Sequence, residues 1–331
     1  MNPALIAVVF AVMSNTQLII VERAFYVMGS RMEVKLHCSN ESRCQRAIND
    51  AHLEVRRLDH VFSNYRSDSV LAYVHDQAVD GRVSVPRDFI DLVEKSILYS
   101  KLTGGAFDIT VGTIFELWKK SARRGVLPDS EMLRNAQRCV GFEKICVFPN
   151  KGKLELNPPC VRLDFGAIGK GYAVDRVVEI LRTQGINTGI INFGGTVYAM
   201  DAPPGTEGWV VGVEDPGSRN KVLSKVRLSN MAVSTSGDYK KYFEIDGKRY
   251  SHIIDPRTAK PASSVSLVTV ISSSATEADA LATGLVVIEL DKSIELLESH
   301  TTVGAMIMGI EGDEYGVYKS SMYTQYEIRD K

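Results

Sequence analysis

The stretch VRLDFGAIGKGYAVD, residues 161–175, places three glycines between an apolar run and a segment with helical periodicity. Glycine lacks a Cβ, so backbone N–H groups here can approach an anion closely, and a helix beginning near Tyr172 would offer its positive end. Lys170 adds a positive charge. The spacing matches neither GxGxxG nor GxxxxGK[ST], so it predicts neither a Rossmann nor a Walker site. Phosphate binding and a plain tight turn both remain open interpretations.

The segments on either side predict an α+β fold with mostly antiparallel sheets, because hairpin signals outnumber strand–helix–strand units. RMEVKLHC alternates like a strand, and residues 44–62 then carry Ala47, Leu53, Leu58 and Phe62 on one side of a predicted helix. Further helices are predicted over 85–105, 172–186 and 274–290. Strands or hairpins are predicted over 188–200, 208–216, 240–256 and 303–323.

Composition indicates a globular chain without a polyanionic partner. The 331 residues are 44% hydrophobic and 24% charged, which allows one large core or two moderate ones. The formal net charge of -1 gives no long-range attraction to nucleic acid. We therefore expect no nucleic-acid partner.

The N-terminal residues 1–22 contain the apolar run ALIAVVFAVM, which has the length of a signal-peptide core but no preceding Lys or Arg. It is too short for a membrane-spanning helix. An export segment, a buried first strand and an over-long start all remain open, with the main domain expected over residues 23–331.

Five cysteines show no CxxC motif and no zinc-type spacing. Two pairs, Cys38 with Cys44 and Cys139 with Cys146, are close enough in sequence to cross-link in an oxidising compartment. The favoured interpretation is small, partly buried thiols.

Two further motifs carry oxygen and nitrogen donors. In TEADALAT, Asp279 and Thr283 are four residues apart and share a helix face, where hard oxygens suit Mg²⁺. The alternatives for Asp279 are a solvated face or a helix cap. In YSHIIDPRTAKPA, His252 precedes a turn signal at Asp255-Pro256 and should lie at a strand end, where a neutral imidazole can take a proton from an attacking hydroxyl.

Seven motifs in order resemble the ApbE family, the FAD:protein FMN transferases, across residues 24–310. They are VMGSRMEV, FSNYRSDS, GGAFDITVG, LDFGAIGKGYAVD, INFGG, VSTSGDYKKYFEIDGKRYSHIIDPRTAKP and ATEADALATGL. The resemblance implies an ApbE-like fold and an enzyme that uses Mg²⁺ to cleave FAD at its pyrophosphate. FMN would pass to a Thr or Ser hydroxyl of an acceptor flavoprotein, with AMP released.

The same resemblance assigns roles to individual residues. His252 would be the general base, and Mg²⁺ would be held by Asp279, Thr283 and the backbone carbonyl of Ala167. Lys170 would meet the FAD phosphates. The residues that would contact FAD or line its pocket are Met28, Tyr65, Ala106, Phe107, Asp108, Asp164 and Ile254.

The chain also departs from the usual family pattern. VLAYVH follows Ser69 where an SRLN-like ending is usual, Gly169 replaces a frequent Ala, Ala259 replaces the Gly of RTGxP, and Ala282 stands where some members carry an acidic residue. These changes leave the expected metal and phosphate positions intact.

Two alternatives to the transferase are kept: an FAD pyrophosphatase giving FMN and AMP, and a non-catalytic FAD-binding protein. Family members commonly serve membrane redox complexes or related electron-transfer proteins. The resemblance therefore implies acceptor subunits of that kind, a periplasmic or membrane-associated location facing the exported side, and a possible association with the membrane.

Overall fold

The computed structural model describes residues 18–78, 81–218, 221–237, 242–263, 265–311 and 314–329. Its helices are α1 (Glu41–Phe62), α2 (Val70–Gln77), α3 (Arg87–Leu102), α4 (Gly112–Arg124), α5 (Ser130–Gln137), α6 (Gly169–Thr183), α7 (Ala275–Val287), α8 (Leu290–Ser299) and α9 (Ser321–Tyr326). The first strands are β1 (Ile19–Val27), β2 (Ser30–Cys38), β3 (Val83–Ser84), β4 (Ile145–Phe148), β5 (Lys153–Leu156), β6 (Gly189–Phe193), β7 (Thr196–Ala199), β8 (Trp209–Glu214) and β9 (Val222–Leu228). The remaining strands are β10 (Met231–Gly237), β11 (Tyr242–Ile245), β12 (Lys248–Ser251), β13 (Ile254–Asp255), β14 (Lys260–Pro261), β15 (Val265–Ser272), β16 (Gly304–Glu311) and β17 (Glu314–Lys319).

An eight-stranded sheet in the order β1-β2-β6-β7-β10-β15-β16-β17 organises the molecule. Every neighbouring pair in it is antiparallel. The α+β prediction is therefore confirmed. Strands β3, β5 and β4 form a small separate sheet, and β8–β9, β11–β12 and β13–β14 are two-stranded.

The two faces of the large sheet are covered by different elements. Helices α1, α6 and α7 pack on one face, where they enclose the main hydrophobic core. The hairpin β8–β9 and helix α9 cover part of the other face around the fully buried Tyr323. Strand β15 is buried along its whole length because it lies between the two layers.

A third hydrophobic cluster holds a peripheral unit made of α4, α5 and the hairpins β11–β12 and β13–β14. The Trp118 ring of α4 stacks on Phe243 of β11, and its Nε1 donates to the Ala259 carbonyl at 2.9 Å. These contacts fix α4 against the segment that carries the HIIDPRTAKP motif.

Local turn chemistry explains several strand connections. Met28 and Gly29 join β1 to β2 with φ values of 47° and 67°, and Asp246 and Gly247 join β11 to β12 with 50° and 71°. Two successive left-handed residues match the twist of an antiparallel hairpin. The β6–β7 connection at the Gly194-Gly195 pair has the same left-handed signs, at 61° and 101°.

Three details differ from the sequence prediction. Helix α6 begins at Gly169, three residues before Tyr172, so the glycine segment forms its first turn. Leu53 is 60% exposed, because the buried stripe of α1 passes through Ala51 and Val55 instead. The segment 19–22 belongs to β1, and Val21 is buried in the core. Residues 1–17, on which the export-segment prediction falls, lie outside the described residues.

The cysteines form two disulfides, so the favoured free-thiol interpretation is wrong for four of them. Cys38 bonds to Cys44, which joins the end of β2 to the start of α1. Cys139 bonds to Cys160 and not to Cys146, because the fold brings the end of the α5 region beside the segment that precedes the glycine motif. Cys146 is a free, exposed thiol. None of the described helices is both long enough and apolar enough to cross a membrane.

Candidate active site

A buried carboxylate in the middle of α7 is the centre of the candidate site. Asp279 is 4% exposed. Its Oδ2 accepts a hydrogen bond from the Gly171 N–H at 2.9 Å and lies 3.7 Å from the Lys170 Nζ. A charge in this position requires partners, because burying an unpaired carboxylate is costly. Both alternative interpretations, a solvated face and a helix cap, are therefore excluded, and the cap of α7 is Ser274.

Hydroxyl groups from the central strands complete the surroundings of this carboxylate. The Oδ1 of Asp279 accepts from Thr196 of β7 at 3.3 Å and from Ser234 of β10 at 3.4 Å. One turn further along α7, the Thr283 hydroxyl contacts Ser236 at 3.2 Å and donates to the Asp279 carbonyl at 3.3 Å. None of these three strand residues was predicted from the sequence, although Ser234 and Ser236 lie at alternate positions of the VSTSG motif and Thr196 directly follows the INFGG motif.

The structure answers why glycine is needed in the first turn of α6. A Cβ at Gly171 would collide with the Ala275 carbonyl oxygen and lie 2.7 Å from its carbon and 2.8 Å from the Asp279 Cβ. Gly171 thus lets α6 and α7 cross closely enough for its N–H to reach the carboxylate. A Cβ at Gly169 would meet only ordinary contacts, at 3.6 Å from Met28 and Phe165. No steric contact therefore explains why this chain has Gly169 where the family pattern frequently has Ala.

Asp175, which the sequence analysis did not single out, locks the same two helices together. Its carboxylate accepts from the Ala275 N–H at 2.8 Å, the Thr276 N–H at 2.9 Å and the Ser274 hydroxyl at 2.7 Å. The Thr276 hydroxyl donates to it as well. A carboxylate of α6 thus caps the positive end of α7 and sets the position of Asp279, one turn further on.

The loop before α6 carries Asp164 and Ala167. Asp164 is partly buried, its Oδ1 accepts from the Gly166 N–H at 2.7 Å, and burial raises the pKa of its carboxyl. Lys170 lowers that pKa in part and also donates to the Gly166 carbonyl at 3.1 Å. These contacts bring the loop and the lysine together. The partly buried Ala167 lies in the turn between them.

His75 of α2 supports the start of this loop. Its Nε2 accepts from the Leu163 N–H at 2.9 Å, so that nitrogen must be unprotonated. Burial, with a contribution from Arg162, lowers the pKa of His75 to about 4. The neutral imidazole therefore holds the residue directly before Asp164 at ordinary pH.

The segment Ala106–Phe107–Asp108 is buried beneath α7. A Cβ on Gly284 of α7 would lie 2.9 Å from Thr103 and 3.2 Å from Phe107, so the helix is in close contact with this segment. Asp108 accepts from the N–H and hydroxyl of Thr110 at 2.8 and 2.7 Å. Burial raises the pKa of the Asp108 carboxyl. In this arrangement the carboxylate supports its own loop.

Met28 and Tyr65 lie at the edge of the site. Met28 has the left-handed φ of 47°, which is uncommon for a side chain of this size, and its methyl group lies over Gly169. Tyr65 is 82% exposed, and the Lys119 Nζ lies 5.6 Å from its ring centroid. An exposed aromatic ring of this kind can stack on a planar ligand.

His252 and Ile254 belong to the peripheral unit. His252 lies between the end of β12 and the start of β13, at a strand end as predicted. Ile254 is buried in the third cluster, where it packs with Ala259. Ala259 has φ 58°, a left-handed value that explains why the resembled pattern has Gly there. The neighbouring Arg257 reaches the Val287 carbonyl at 3.4 Å, so this unit contacts the end of α7.

The donor set of the site suits a hard cation held by few protein groups. Within the described ranges, no three His, Cys, Asp or Glu side chains form a metal-binding group. Mg²⁺ nevertheless takes few protein ligands, commonly one or two carboxylates, and completes its shell with water and phosphate oxygens. One buried carboxylate at Asp279 with the Thr283 hydroxyl fits that chemistry, with Ala167 offering a backbone carbonyl from the adjoining loop.

Comparisons with known proteins agree with this geometry. The family model described as the ApbE family matches residues 28–307. The chain is 30% identical to an FAD:protein FMN transferase of Treponema pallidum over 302 residues, which cover 86% of this chain and 83% of the relative. It is 33% identical to an FAD:protein FMN transferase of Haemophilus influenzae over 78% of this chain and 77% of the relative.

Solved structures show the same similarity. The crystal structure of the ApbE protein from Thermotoga maritima superposes with a TM-score of 0.85 at 29% identity, covering 94% of this chain and 100% of that one. The flavin transferase ApbE from Vibrio cholerae gives a TM-score of 0.84 at 27% identity, covering 93% of this chain and 99% of that one.

Proposed function

This chain belongs to the ApbE family and is a flavin transferase, and we propose that it uses Mg²⁺ to move FMN from FAD to a hydroxyl of an acceptor protein. The observation that carries the proposal is the meeting of Asp279, Thr283 and Lys170 at the crossing of α6 and α7. A carboxylate and a hydroxyl can hold a Mg²⁺ ion, and that ion together with the lysine would neutralise a pyrophosphate.

The reaction breaks one phosphoanhydride bond and forms one phosphoester bond. The acceptor Thr or Ser oxygen attacks the phosphorus on the FMN side of FAD, and AMP leaves with the bridging oxygen. The hydroxyl proton passes to a base, for which we propose His252. When bound, Mg²⁺ would neutralise phosphate charge as a Lewis acid.

The protein groups mainly bind and orient in this scheme. Lys170, on the first turn of α6, is placed to contact a phosphate together with the positive end of that helix. Asp279 and Thr283 would hold the metal with the Ala167 carbonyl, while Met28 and Tyr65 would contact the flavin nucleotide. Positioning of this kind supplies much of the catalysis in phosphoryl transfer.

Both disulfides support a location on the exported side of the membrane. Disulfides persist in oxidising compartments and are rare in the cytosol. Cys38–Cys44 and Cys139–Cys160 are bonded in this fold. We therefore propose that the acceptor is exported too, as an electron-transfer flavoprotein or a subunit of a membrane redox complex.

The test is incubation with FAD, Mg²⁺ and a candidate acceptor flavoprotein, followed by intact mass of the acceptor and quantification of AMP. We expect an acceptor mass gain corresponding to FMN, AMP in equal amount, and loss of both with EDTA. The Asp279→Ala variant should be inactive while its circular dichroism is unchanged. FMN and AMP without an acceptor mass gain would indicate a pyrophosphatase, and stable binding of intact FAD would indicate a binding protein.

A further inference from the structure

Helix α4 presents a one-sided row of cations to solvent. Its buried side is formed by Ile114, Trp118 and Ser121. On the exposed side, Lys120, Arg123 and Arg124 form no ion pair with any described residue. Lys119 adjoins them and pairs with Glu116, the helix's single carboxylate, at 3.0 Å. We call Lys119, Lys120, Arg123 and Arg124 the α4 cation row.

The helix dipole accounts for only part of this row, and the composition of other long helices does not account for it. Helices α1 and α3 carry equal numbers of acidic and basic residues, four of each and three of each, whereas α4 has four cations and one carboxylate. Cations near a helix C-terminus interact favourably with its dipole, which explains Arg123 and Arg124. That effect fades within the last turn, so it does not explain Lys119.

The row starts at the candidate site. The Lys119 Nζ lies 5.6 Å from the centroid of the Tyr65 ring. The negative charge of Glu116 raises the pKa of the Asp164 carboxyl and the positive charge of Lys119 lowers it, so α4 begins close to that carboxyl. The first residue of α4, Gly112, donates to the Arg162 carbonyl at 3.1 Å, which fixes the helix to the Asp164 loop. The row therefore leads from the edge of the site to its periphery.

Apolar side chains continue the same surface beyond the end of α4. Val126 is 65% exposed and Leu127 48% exposed, in the connection between α4 and α5. Exposed apolar side chains beside arginines that pair with no described residue suit contact with another protein, because Arg is enriched at protein interfaces.

We propose that the α4 cation row, with Val126 and Leu127, docks an acidic segment of the acceptor protein next to its modified Thr or Ser. The inference rests on the proposed function, because a protein acceptor must bring its hydroxyl to the site and so must cover the surface around it. Opposite charge on that segment would raise the association rate and select partners.

The test uses two synthetic peptides with one threonine-containing core, followed by a run of Glu in one and of Gln in the other. Binding is measured by fluorescence anisotropy at about 20 mM and about 500 mM NaCl, where screening differs strongly. The docking variant is Lys120→Gln/Arg123→Gln/Arg124→Gln. The matched control is Lys95→Gln/Arg46→Gln/Arg56→Gln, which removes the same charges from exposed positions on α1 and α3.

We expect the wild-type protein and the control to bind the Glu peptide about tenfold more tightly than the Gln peptide at low salt, with the difference lost at high salt and in the docking variant. Equal binding of both peptides, or equal losses in both variants, would overturn the proposal.

A membrane is the competing source of negative charge. Cosedimentation with phosphatidylcholine vesicles, with and without phosphatidylglycerol, distinguishes it. If the protein binds the anionic vesicles, loses that binding only in the docking variant and binds both peptides equally, the α4 cation row would be a membrane-binding surface and the acceptor proposal would be overturned.

Intact mass of the peptides after incubation with FAD and Mg²⁺ separates the two hypotheses. Tighter binding of the Glu peptide than of the Gln peptide, without an FMN mass gain on either, would support the docking surface and count against transfer. FMN transfer at equal rates to both peptides would keep the function and overturn the docking surface.

Discussion

At the scale of single residues, His252 is the group whose role is most directly testable. An acceptor hydroxyl is a poor nucleophile at neutral pH, and general-base assistance contributes about 10²–10⁴-fold. The His252→Ala variant should therefore lose FMN transfer on that scale and still bind FAD, because Lys170 and Asp279 lie on other elements. Single-turnover transfer rates and FAD titration measure the two effects. Transfer by His252→Ala at near-normal rates would assign the base elsewhere.

His75 makes a pH-dependent contribution to stability. Its pKa is about 4 in the folded protein against about 6.5 for an exposed imidazole. As the pH falls, His75 therefore binds a proton in the unfolded chain before it does so in the folded protein. Its contribution to the free energy of unfolding is complete above about pH 6.5 and decreases as the pH drops towards 4. The full shift corresponds to about 3 kcal/mol, and less in practice because the ring is partly exposed.

The matching variant is His75→Gln, whose amide oxygen can accept from the Leu163 N–H without titrating. Urea unfolding at pH 7.5 and pH 4.5 should show a smaller loss of stability for the variant than for the wild type, by about 1–3 kcal/mol. Parallel losses in the two proteins would show that His75 does not titrate on unfolding in this range.

At the scale of elements, the crossing of α6 and α7 depends on Gly171. The Gly171→Ala methyl would collide with the backbone of Ala275 and press on Asp279. We expect destabilisation by about 1–3 kcal/mol and weakened FAD binding. Gly169→Ala is the control, since its methyl meets only ordinary contacts, at 3.6 Å from Met28 and Phe165. Thermal unfolding and FAD titration of both variants decide the matter, and equal behaviour would contradict the close-crossing interpretation.

The cap supplied by Asp175 is a second property of the same helix pair. Asp175→Ala leaves the first N–H groups of α7 without their acceptor. This change should lower the free energy of unfolding by about 2–3 kcal/mol. FMN transfer should fall as well, because α7 carries Asp279. The control Asp129→Ala removes the cap of the exposed helix α5, with an expected cost of about 1 kcal/mol and unchanged transfer. Unchanged transfer in Asp175→Ala would restrict its role to stability.

At the scale of the whole molecule, the two disulfides differ in the length of chain that they close. Cys139–Cys160 spans 21 residues and Cys38–Cys44 spans 6. Chain-entropy estimates give about 3 and about 2 kcal/mol, so Cys139→Ser/Cys160→Ser should be the less stable double variant. Cys146→Ser should unfold like the wild type, because that thiol is free. Guanidinium unfolding of the three variants checks the order, and the reverse order would show that contacts around the bridges outweigh loop length.

The sequence alone determined the features that depend on near neighbours. The hairpin at Asp246-Gly247, the helix after Pro86 and the four-residue spacing of Asp279 and Thr283 follow from local dihedral preferences and from the helix period. The seven ordered motifs likewise indicated the family, which the comparisons confirmed. These signals are readable because each lies within a few residues of chain.

Only the tertiary structure decided which distant groups meet. The pairing of Cys139 with Cys160, the capping of α7 by Asp175 and the hydroxyls of Thr196 and Ser234 on Asp279 each join segments far apart in sequence. The need for glycine at position 171 likewise arises from a second helix, so the residue itself carries no sign of it. Such contacts depend on how α6 and α7 pack against the sheet, and no periodicity or spacing within one segment encodes that packing.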